Sequence, residues 1–258
     1  SGNVYVTGNS LFDYATIKYA PNGDSLWVRR YHGLANRYDH AKALAVDDSG
    51  NVYVTGVIDI VCYDYPYLCY GGDYATIKYA PDGDTLWVRR YNGPGNGPDS
   101  ALALSVDGSG NLYVTGSSIG SGTSADYTTI KYAPNGDTLW VRRYNGPGNG
   151  WDGANTLAVD RRGNVYVTGY SEGDYLTIKY NKFGCAAIAG DVNSDYKSDL
   201  SDIMLQINYL FKAGAKPDPF CAGDANADGN VLLPDIVYLI NFLFKSGPAP
   251  IKSKECCL

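Results

Sequence analysis

The same string of residues returns four times along most of this chain, and it restricts the fold more than any other feature. GNVYVTG or GNLYVTG begins at Gly2, Gly50, Gly110 and Gly163, spacings of 48, 60 and 53 residues. TIKY begins at Thr16, Thr76, Thr129 and Thr177, and LWVRRY at Leu26, Leu86 and Leu139. A unit returning at a period near 50 residues cannot bury its apolar face alone. It stacks on its neighbours, so the chain is expected to form an array of like modules.

Each full repeat carries four short strand signals. ALAVD (Ala43 to Asp47) leads through a glycine turn into NVYVTG, which reads as a hairpin. TIKYA leads through Pro-Asn-Gly-Asp or Pro-Asp-Gly-Asp into LWVRRY. Proline presets that turn and glycine takes the positive φ the return needs. Along the strand the alternation has period two, with Val4 and Val6 on one face and Tyr5 and Thr7 on the other. Two hairpins make a four-stranded sheet, and sheets repeated at this spacing describe propeller blades. The sequence holds 14 strand signals, about three and a half repeats. The first repeat lacks its ALAVD strand and the last its LWVRRY strand.

GNVYVTG, DYATIKYAPNGD and LWVRRYNGPGNG closely resemble the SBBP-type β-propeller repeat over residues 1 to about 184. The resemblance implies a β-propeller-like fold and no particular chemistry. A closed ring of the family's usual seven blades cannot be made from this chain alone. Upstream blades are missing, or the array is small and unusual, or another chain completes it. The chain opens inside a repeat without an initiator Met, which reads as a processed chain or a fragment. Open sheet ends present unpaired backbone groups that recruit a partner, so end-to-end joining of copies is one expectation.

Asp13, Asp73, Asp126 and Asp174 precede a Tyr in every repeat, and Arg29-Arg30, Arg89-Arg90 and Arg142-Arg143 recur likewise. A catalytic group is needed once, not once per blade, so these charges read as blade-to-blade pairing. Trp27, Trp87 and Trp140 read as core. The linker between VYVTG and TIKY varies, and in the second repeat it becomes VIDIVCYDYPYLCYGG. Insertions at one place in each repeat emerge on one side of the array, often the binding side. This one reads as a loop closed by Cys62 and Cys69, with Tyr63, Tyr65, Tyr67 and Tyr70 as an amphipathic contact surface for a sugar ring or a neighbouring subunit.

After KFGCAAIAG the composition changes, which places a boundary between residues 1–184 and 185–258. Asp191-Val-Asn193-Ser-Asp195 and Asp224-Ala-Asn226-Ala-Asp228 stand 33 residues apart, and each runs to a carboxylate at its twelfth position, Asp202 or Asp235. Oxygen side chains at positions 1, 3, 5 and 12 wrap a hard cation, with a backbone carbonyl at position 7. Lys197 and Asn230 hold that seventh position. Asp199 adds a ligand at position 9, where Leu232 cannot. Gly229 takes the sharp sixth position of the second loop; Tyr196 takes it in the first, at a conformational cost. Each loop leads into a helix with a repeated apolar face, Ile203, Ile207, Leu210 and Phe211, then Ile236, Ile240, Leu243 and Phe244. Gly214 and Gly247 are expected to cap these helices.

These loop–helix units, with INYLFK and INFLFK as their helices, strongly resemble a dockerin domain over about 190 to 250. The resemblance implies two calcium ions and docking to a cohesin module. Family partner choice rests on positions 10 and 11 of each loop. Here these are Leu200-Ser201 and Leu233-Pro234, which depart from the Ser-Thr type of cellulosomal dockerins.

The fold class is therefore mainly β, a partial or unusual β-propeller-like array of about 3.5 repeats, with a small α-helical domain carrying two EF-hand-like loops. A net charge of −6 argues against a nucleic-acid binder. No apolar run is long enough to span a bilayer. Six cysteines, Cys62, Cys69, Cys185, Cys221, Cys256 and Cys257, with no CxxC pair, lean toward disulfides in an oxidising compartment, outside the cell or at its surface. The leading expectation is a non-enzymatic extracellular structural or interaction protein that binds a protein partner or copies of itself, as a subunit of a filament or scaffold. A carbohydrate-binding module working on polysaccharide beside hydrolases is the alternative. A propeller glycosidase or lyase is the third. It would need a unique acid–base pair, and His32 and His40, in HGLANRYDH, are the nonrepeated candidates.

Overall fold

The computed structural model describes residues 2–33, 37–64, 68–180, 189–193, 198–214, 216–217 and 220–251. The chain divides into two compact units, Ser1–Ile178 and Lys179–Leu258.

The first unit is built from antiparallel sheets, one per repeat, here called blades. Blade one holds β1 (Val4–Ser10), β2 (Asp13–Tyr19) and β3 (Ser25–Tyr31) in that order. Blade two holds β4 (Tyr38–Val46), β5 (Val52–Asp64), β6 (Leu68–Tyr70), β7 (Asp73–Tyr79) and β8 (Thr85–Tyr91). Its path runs β4-β5-β7-β8, and β6 pairs with the far end of β5. Blade three holds β9 (Asp99–Val106), β10 (Leu112–Ile119), β11 (Ala125–Tyr132) and β12 (Thr138–Tyr144) in the same path. Blade four holds β13 (Asp152–Val159), β14 (Val165–Ser171) and β15 (Asp174–Tyr180). None of these sheets is closed.

The inserted segment differs from its sequence reading as a loop. β5 runs 13 residues, through Asp64, and returns as β6 with Cys62 opposite Cys69 in register. The β-branched residues Val57, Ile58, Ile60 and Val61 carry the strand past the point where the other blades turn.

Two turns set the blade. In the first, the Asp47 carboxylate accepts from the Asn51 amide (2.8 Å), the Asn51 side chain (2.8 Å) and the Tyr53 hydroxyl (3.0 Å), while Gly50 sits at φ 81°. Asp107 and Asp160 repeat this with Asn111 and Tyr113, and with Asn164 and Tyr166. In the second, Gly23 takes φ 91° and donates to the Ala20 carbonyl at 2.9 Å; Gly83 and Gly136 repeat it. Between the turns, paired threonines bridge the two middle strands, Thr55 to Thr76 and Thr115 to Thr129, each at 2.9 Å.

The core lies between blades. Tyr14 and Trp27 of blade one pack with Val52, Val54, Ile77 and Tyr79 of blade two. Tyr53, Tyr74 and Trp87 of blade two pack likewise with Leu112, Val114, Ile130 and Tyr132 of blade three. An inner blade therefore buries both faces: Val52, Tyr53, Val54 and Thr55 are all buried. Trp140 is half-buried.

The second unit holds α1 (Leu200–Lys212) and α2 (Leu233–Lys245), packed through Ile203, Ile236 and Leu239 with Ala225. Ile207, Leu210, Ile240 and Leu243 flank that core, but Phe211 and Phe244 are exposed. The caps also differ from expectation. Ala213 and Ser246 take the left-handed conformation, at φ 51° and 53°. Gly214 and Gly247 donate to the Asn208 and Asn241 carbonyls at 2.8 and 2.9 Å. Glycine is needed there for close approach: a Cβ would lie 3.0 Å from those oxygens.

Candidate functional site

The second loop of the helical unit, 224–235, lies wholly among the described residues. Its side chains fold onto the loop's own amides. The Asp224 carboxylate accepts from the Asp228 and Gly229 amides at 3.0 and 2.9 Å. Asn226 Oδ1 accepts from the Asp228 amide at 2.9 Å, and Asp228 Oδ1 from the Asn230 amide at 2.9 Å. Asp235, in the first turn of α2, closes the loop by accepting from the Asn226 amide (3.2 Å) and the Leu232 amide (2.9 Å). It is fully buried. Burial pushes its carboxyl above the ordinary carboxylate range. The two amides pull the other way, and the charges of Asp224 and Asp228 push it up again.

The first loop follows the same plan where it is described. Asp202 is buried and accepts from the Val192, Asn193 and Asp199 amides at 2.7, 3.1 and 2.8 Å. Burial raises its carboxyl too, against those amides. Asp191 is buried, and Asn193 donates from its side chain to the Ser201 hydroxyl at 2.7 Å. Asp199 is the N-cap of α1, its Oδ1 accepting from the Ser201 amide at 2.8 Å. Asp195 and Lys197 lie outside the described residues.

Among the described residues no three acidic, His or Cys side chains converge on one point. The donor chemistry nonetheless suits a hard cation. The second loop offers an all-oxygen set, and Asp224 and Asp228 both raise the Asp235 carboxyl, so their negative charge is felt at the buried group.

The joints between blades are a second arrangement, and sequence reading described them only in part. Trp27 Nε1 and Lys18 Nζ both donate to the Pro81 carbonyl in the next blade, at 3.1 and 2.7 Å. Arg29 Nε donates to the Gly83 carbonyl at 2.7 Å. One blade on, Trp87, Lys78 and Arg89 repeat this on Pro134 (3.1 and 3.0 Å) and Gly136 (2.6 Å). Arg29 and Arg89, the first arginines of their pairs, thus reach main-chain oxygen across the joint. Arg90 and Arg143, the second arginines of theirs, pair with an aspartate of their own blade, Arg143 with Asp126 at 2.9 Å and Arg90 with Asp73 at 3.8 Å; Arg90 also meets Asp59.

Of the contact residues expected on the insertion, Tyr65 and Tyr67 lie outside the described residues, as do the side chains of Tyr63 and Tyr70. Cys185, Cys256 and Cys257 lie outside them too. Among the described residues no cysteine is a free thiol. His40 belongs to strand β4 rather than to a loop, and burial lowers its pKa. His32 is exposed, its Nδ1 3.9 Å from the Asp13 carboxylate.

The chain thus presents antiparallel repeat sheets and two paired loop–helix motifs. Comparison with known families agrees: residues 139–175 match the Beta-propeller repeat (SBBP), and residues 189–248 match the Dockerin type I domain. The chain is 25% identical to an uncharacterized WD repeat-containing protein of Acanthamoeba polyphaga mimivirus. That alignment covers 64% of this chain and 15% of the viral protein's length. Dockerin domains serve protein–protein docking. Among the described residues no helix is long and apolar enough to cross a membrane.

Proposed function

We propose that this protein is a non-enzymatic extracellular or cell-surface scaffold, a repeat platform joined near residue 184 to a calcium-stabilised docking domain. It binds a protein partner or further copies of itself. One observation carries the reading: Asp235, a buried carboxylate at the head of α2, ties the ends of an all-oxygen loop together while Asp224 and Asp228 add their charge. A carboxylate so placed is costly without a cation. Asp224, Asn226, Asp228 and Asp235, with the Asn230 carbonyl, would hold one calcium ion. Asp191, Asn193, Asp195, Asp199 and Asp202, with the Lys197 carbonyl, would hold another. Each ion supplies the positive charge that fixes its loop against its helix, so ion binding and folding of this unit are coupled. We also assign a disulfide to Cys62 and Cys69, a reading supported by their facing register.

Calorimetric titration of the full chain with calcium tests this. Two ions bound per chain are expected, with one lost in Asp191→Ala and one in Asp224→Ala. Chelation is expected to reduce the helical circular-dichroism signal. A chain that takes up no calcium would overturn the reading.

A further inference from the structure

Asp39, Asp99 and Asp152 stand near the start of β4, β9 and β13 and are 0%, 1% and 0% exposed. In blades two and three, main-chain amides engage both oxygens of this carboxylate. Asp39 accepts from the Gly33 and Asp59 amides, each at 2.7 Å, and Asp99 from the Gly93 and Ile119 amides at 2.6 and 3.0 Å. Blade four departs from this pattern. Asp152 Oδ2 accepts from the Gly146 amide at 2.6 Å. The amide of Glu172, the counterpart of Asp59 and Ile119, donates to the Trp151 carbonyl instead, at 3.2 Å. Among the described residues, the buried Asp152 Oδ1 has no hydrogen-bond partner.

That oxygen faces a small space over Gly146. The place a Cβ would take on this glycine is 3.0 Å from Asp152 Oδ1, 2.8 Å from Ser171 Oγ and 3.1 Å from Glu172 Oε1. The Gly148 amide donates to Glu172 Oε1 and holds the side chain there. Two carboxylates and a hydroxyl thus border one space, and among the described residues neither carboxylate has an ion pair. A buried carboxylate oxygen without a donor is costly, and a second carboxylate beside it adds to the cost.

The other blades bring a fixed cation to this place. Counted from the glycine of VYVTG or LYVTG, Ser10 and Ser118 are the counterparts of Ser171, and Asp59 is that of Glu172. Arg30 Nη1 donates to the Ser10 carbonyl at 3.4 Å, and Arg90 pairs with Asp59. Arg143 donates to the Ser118 hydroxyl and carbonyl at 2.6 and 2.7 Å. Each of these arginines comes from the LWVRRY strand of its own blade, β3, β8 or β12. Blade four, with β13, β14 and β15, holds no such strand among the described residues.

We infer that a hard divalent cation, calcium, takes the arginine's place in blade four, held by Asp152 Oδ1, Ser171 Oγ and the Glu172 carboxylate with water completing the shell. All the donors are oxygen and their arrangement is irregular. Calcium tolerates such a shell, where magnesium demands a near-ideal octahedron. Any side chain at position 146 would fill the space, so glycine keeps it available. This ion is additional to those of the two loops in the helical unit, and the inference does not depend on them.

The test is calorimetric titration of the full chain with calcium, carried from the range that fills the loops up to about 10 mM. Wild type is expected to show a further, weaker uptake of one ion, with a Kd of roughly 10⁻⁴–10⁻³ M, because the site has only two carboxylates. Glu172→Gln keeps an acceptor for the Gly148 amide but removes the charge, and is expected to weaken this uptake by about tenfold or more. Glu172→Lys puts a fixed cation beside Asp152. It is expected to abolish the uptake and, in chelator, to melt above wild type. Asp224→Ala is expected to leave the weak uptake unchanged, which separates this site from the loops. Wild type without the weak uptake, or an uptake that both Glu172 variants leave intact, overturns the site and spares the loops. A weak phase lost in Glu172→Gln but with no tighter phase before it supports the site and sinks the loop reading alone.

Discussion

Replacing Trp87 by Phe isolates one blade joint. The indole is buried between Tyr53 of its own blade, 6.1 Å away, and Tyr132 of the next, 6.0 Å away, and its Nε1 reaches the Pro134 carbonyl at 3.1 Å. Phenylalanine keeps the ring against both tyrosines but removes the donor. The lost hydrogen bond costs about 1 kcal/mol, and no more, because Lys78 still satisfies Pro134 at 3.0 Å. The smaller ring gives up roughly 40 Å² of buried apolar surface, about 1 kcal/mol. The unfilled space, on the order of 40 Å³, adds about 1 kcal/mol more. The sum is about 3 kcal/mol, which for a unit of this size lowers the melting temperature by roughly 6–12 °C. Scanning calorimetry of the full chain reads this directly. Leu86→Ala is the control: Leu86, the residue before Trp87, is 52% exposed, and loss of its side chain is expected to cost about 0.5 kcal/mol or less. If Trp87→Phe melts no lower than Leu86→Ala, the inter-blade donor and its stacking do not hold the array together, and the account of the joints fails.

Two further outcomes follow from the turns and glycines. Burial pushes the Asp107 carboxyl up, but hydrogen bonds from Asn111, Tyr113 and Ser109 outweigh it and hold the group below its ordinary value. A depressed carboxylate stabilises the fold above its unfolded pKa and loses that contribution as pH falls through the folded value. Asp107→Asn is therefore expected to lower chemical-denaturation stability at neutral pH, with the gap closing as pH drops below about 4; a gap independent of pH would count against it. Gly116→Ala places a Cβ on the Ser100 carbonyl oxygen, main chain that cannot step aside, with the Tyr74 hydroxyl 2.9 Å away. It is expected to cost about 3 kcal/mol, whereas Gly8→Ala, in open space, is expected to stay within about 0.5 kcal/mol of wild type. Equal effects at the two sites would refute the difference.

The blades were legible because their signals are local and repeated. Gly23, Gly83 and Gly136 mark one turn, and Asp47 with Asn51 and Gly50 marks the other, wherever they occur. The loops of the helical unit were legible for the same reason, since their oxygen spacing is fixed by the chain itself. What escaped is non-local. The β5–β6 hairpin has no counterpart in the other repeats, and β6 is three residues long. Nothing in the spelling of LWVRRY says that its Trp and first Arg address main-chain carbonyls some fifty residues on. Phe211 and Phe244 share a helical face with Leu210 and Leu243 by periodicity, yet α1 and α2 pack through Ile203, Ile236 and Leu239, and both phenylalanines remain outside. Gly214 looks like a left-handed cap, but the conformation falls on Ala213 one position earlier.

The hydrogen bonds that tryptophan, lysine and arginine carry from blades one and two to the next blade end on the carbonyl oxygens of Pro81, Gly83, Pro134 and Gly136. Main-chain oxygen is the same in every copy of the repeat, whatever residue stands at the turn's second position, Asn22, Asp82 or Asn135. A blade that is duplicated, deleted or exchanged by recombination therefore arrives with its neighbour's acceptors already in place. Copy number can drift along a lineage without any interface having to evolve again, and a gene of this kind can lengthen or shorten its array while each remaining blade still fits the one beside it.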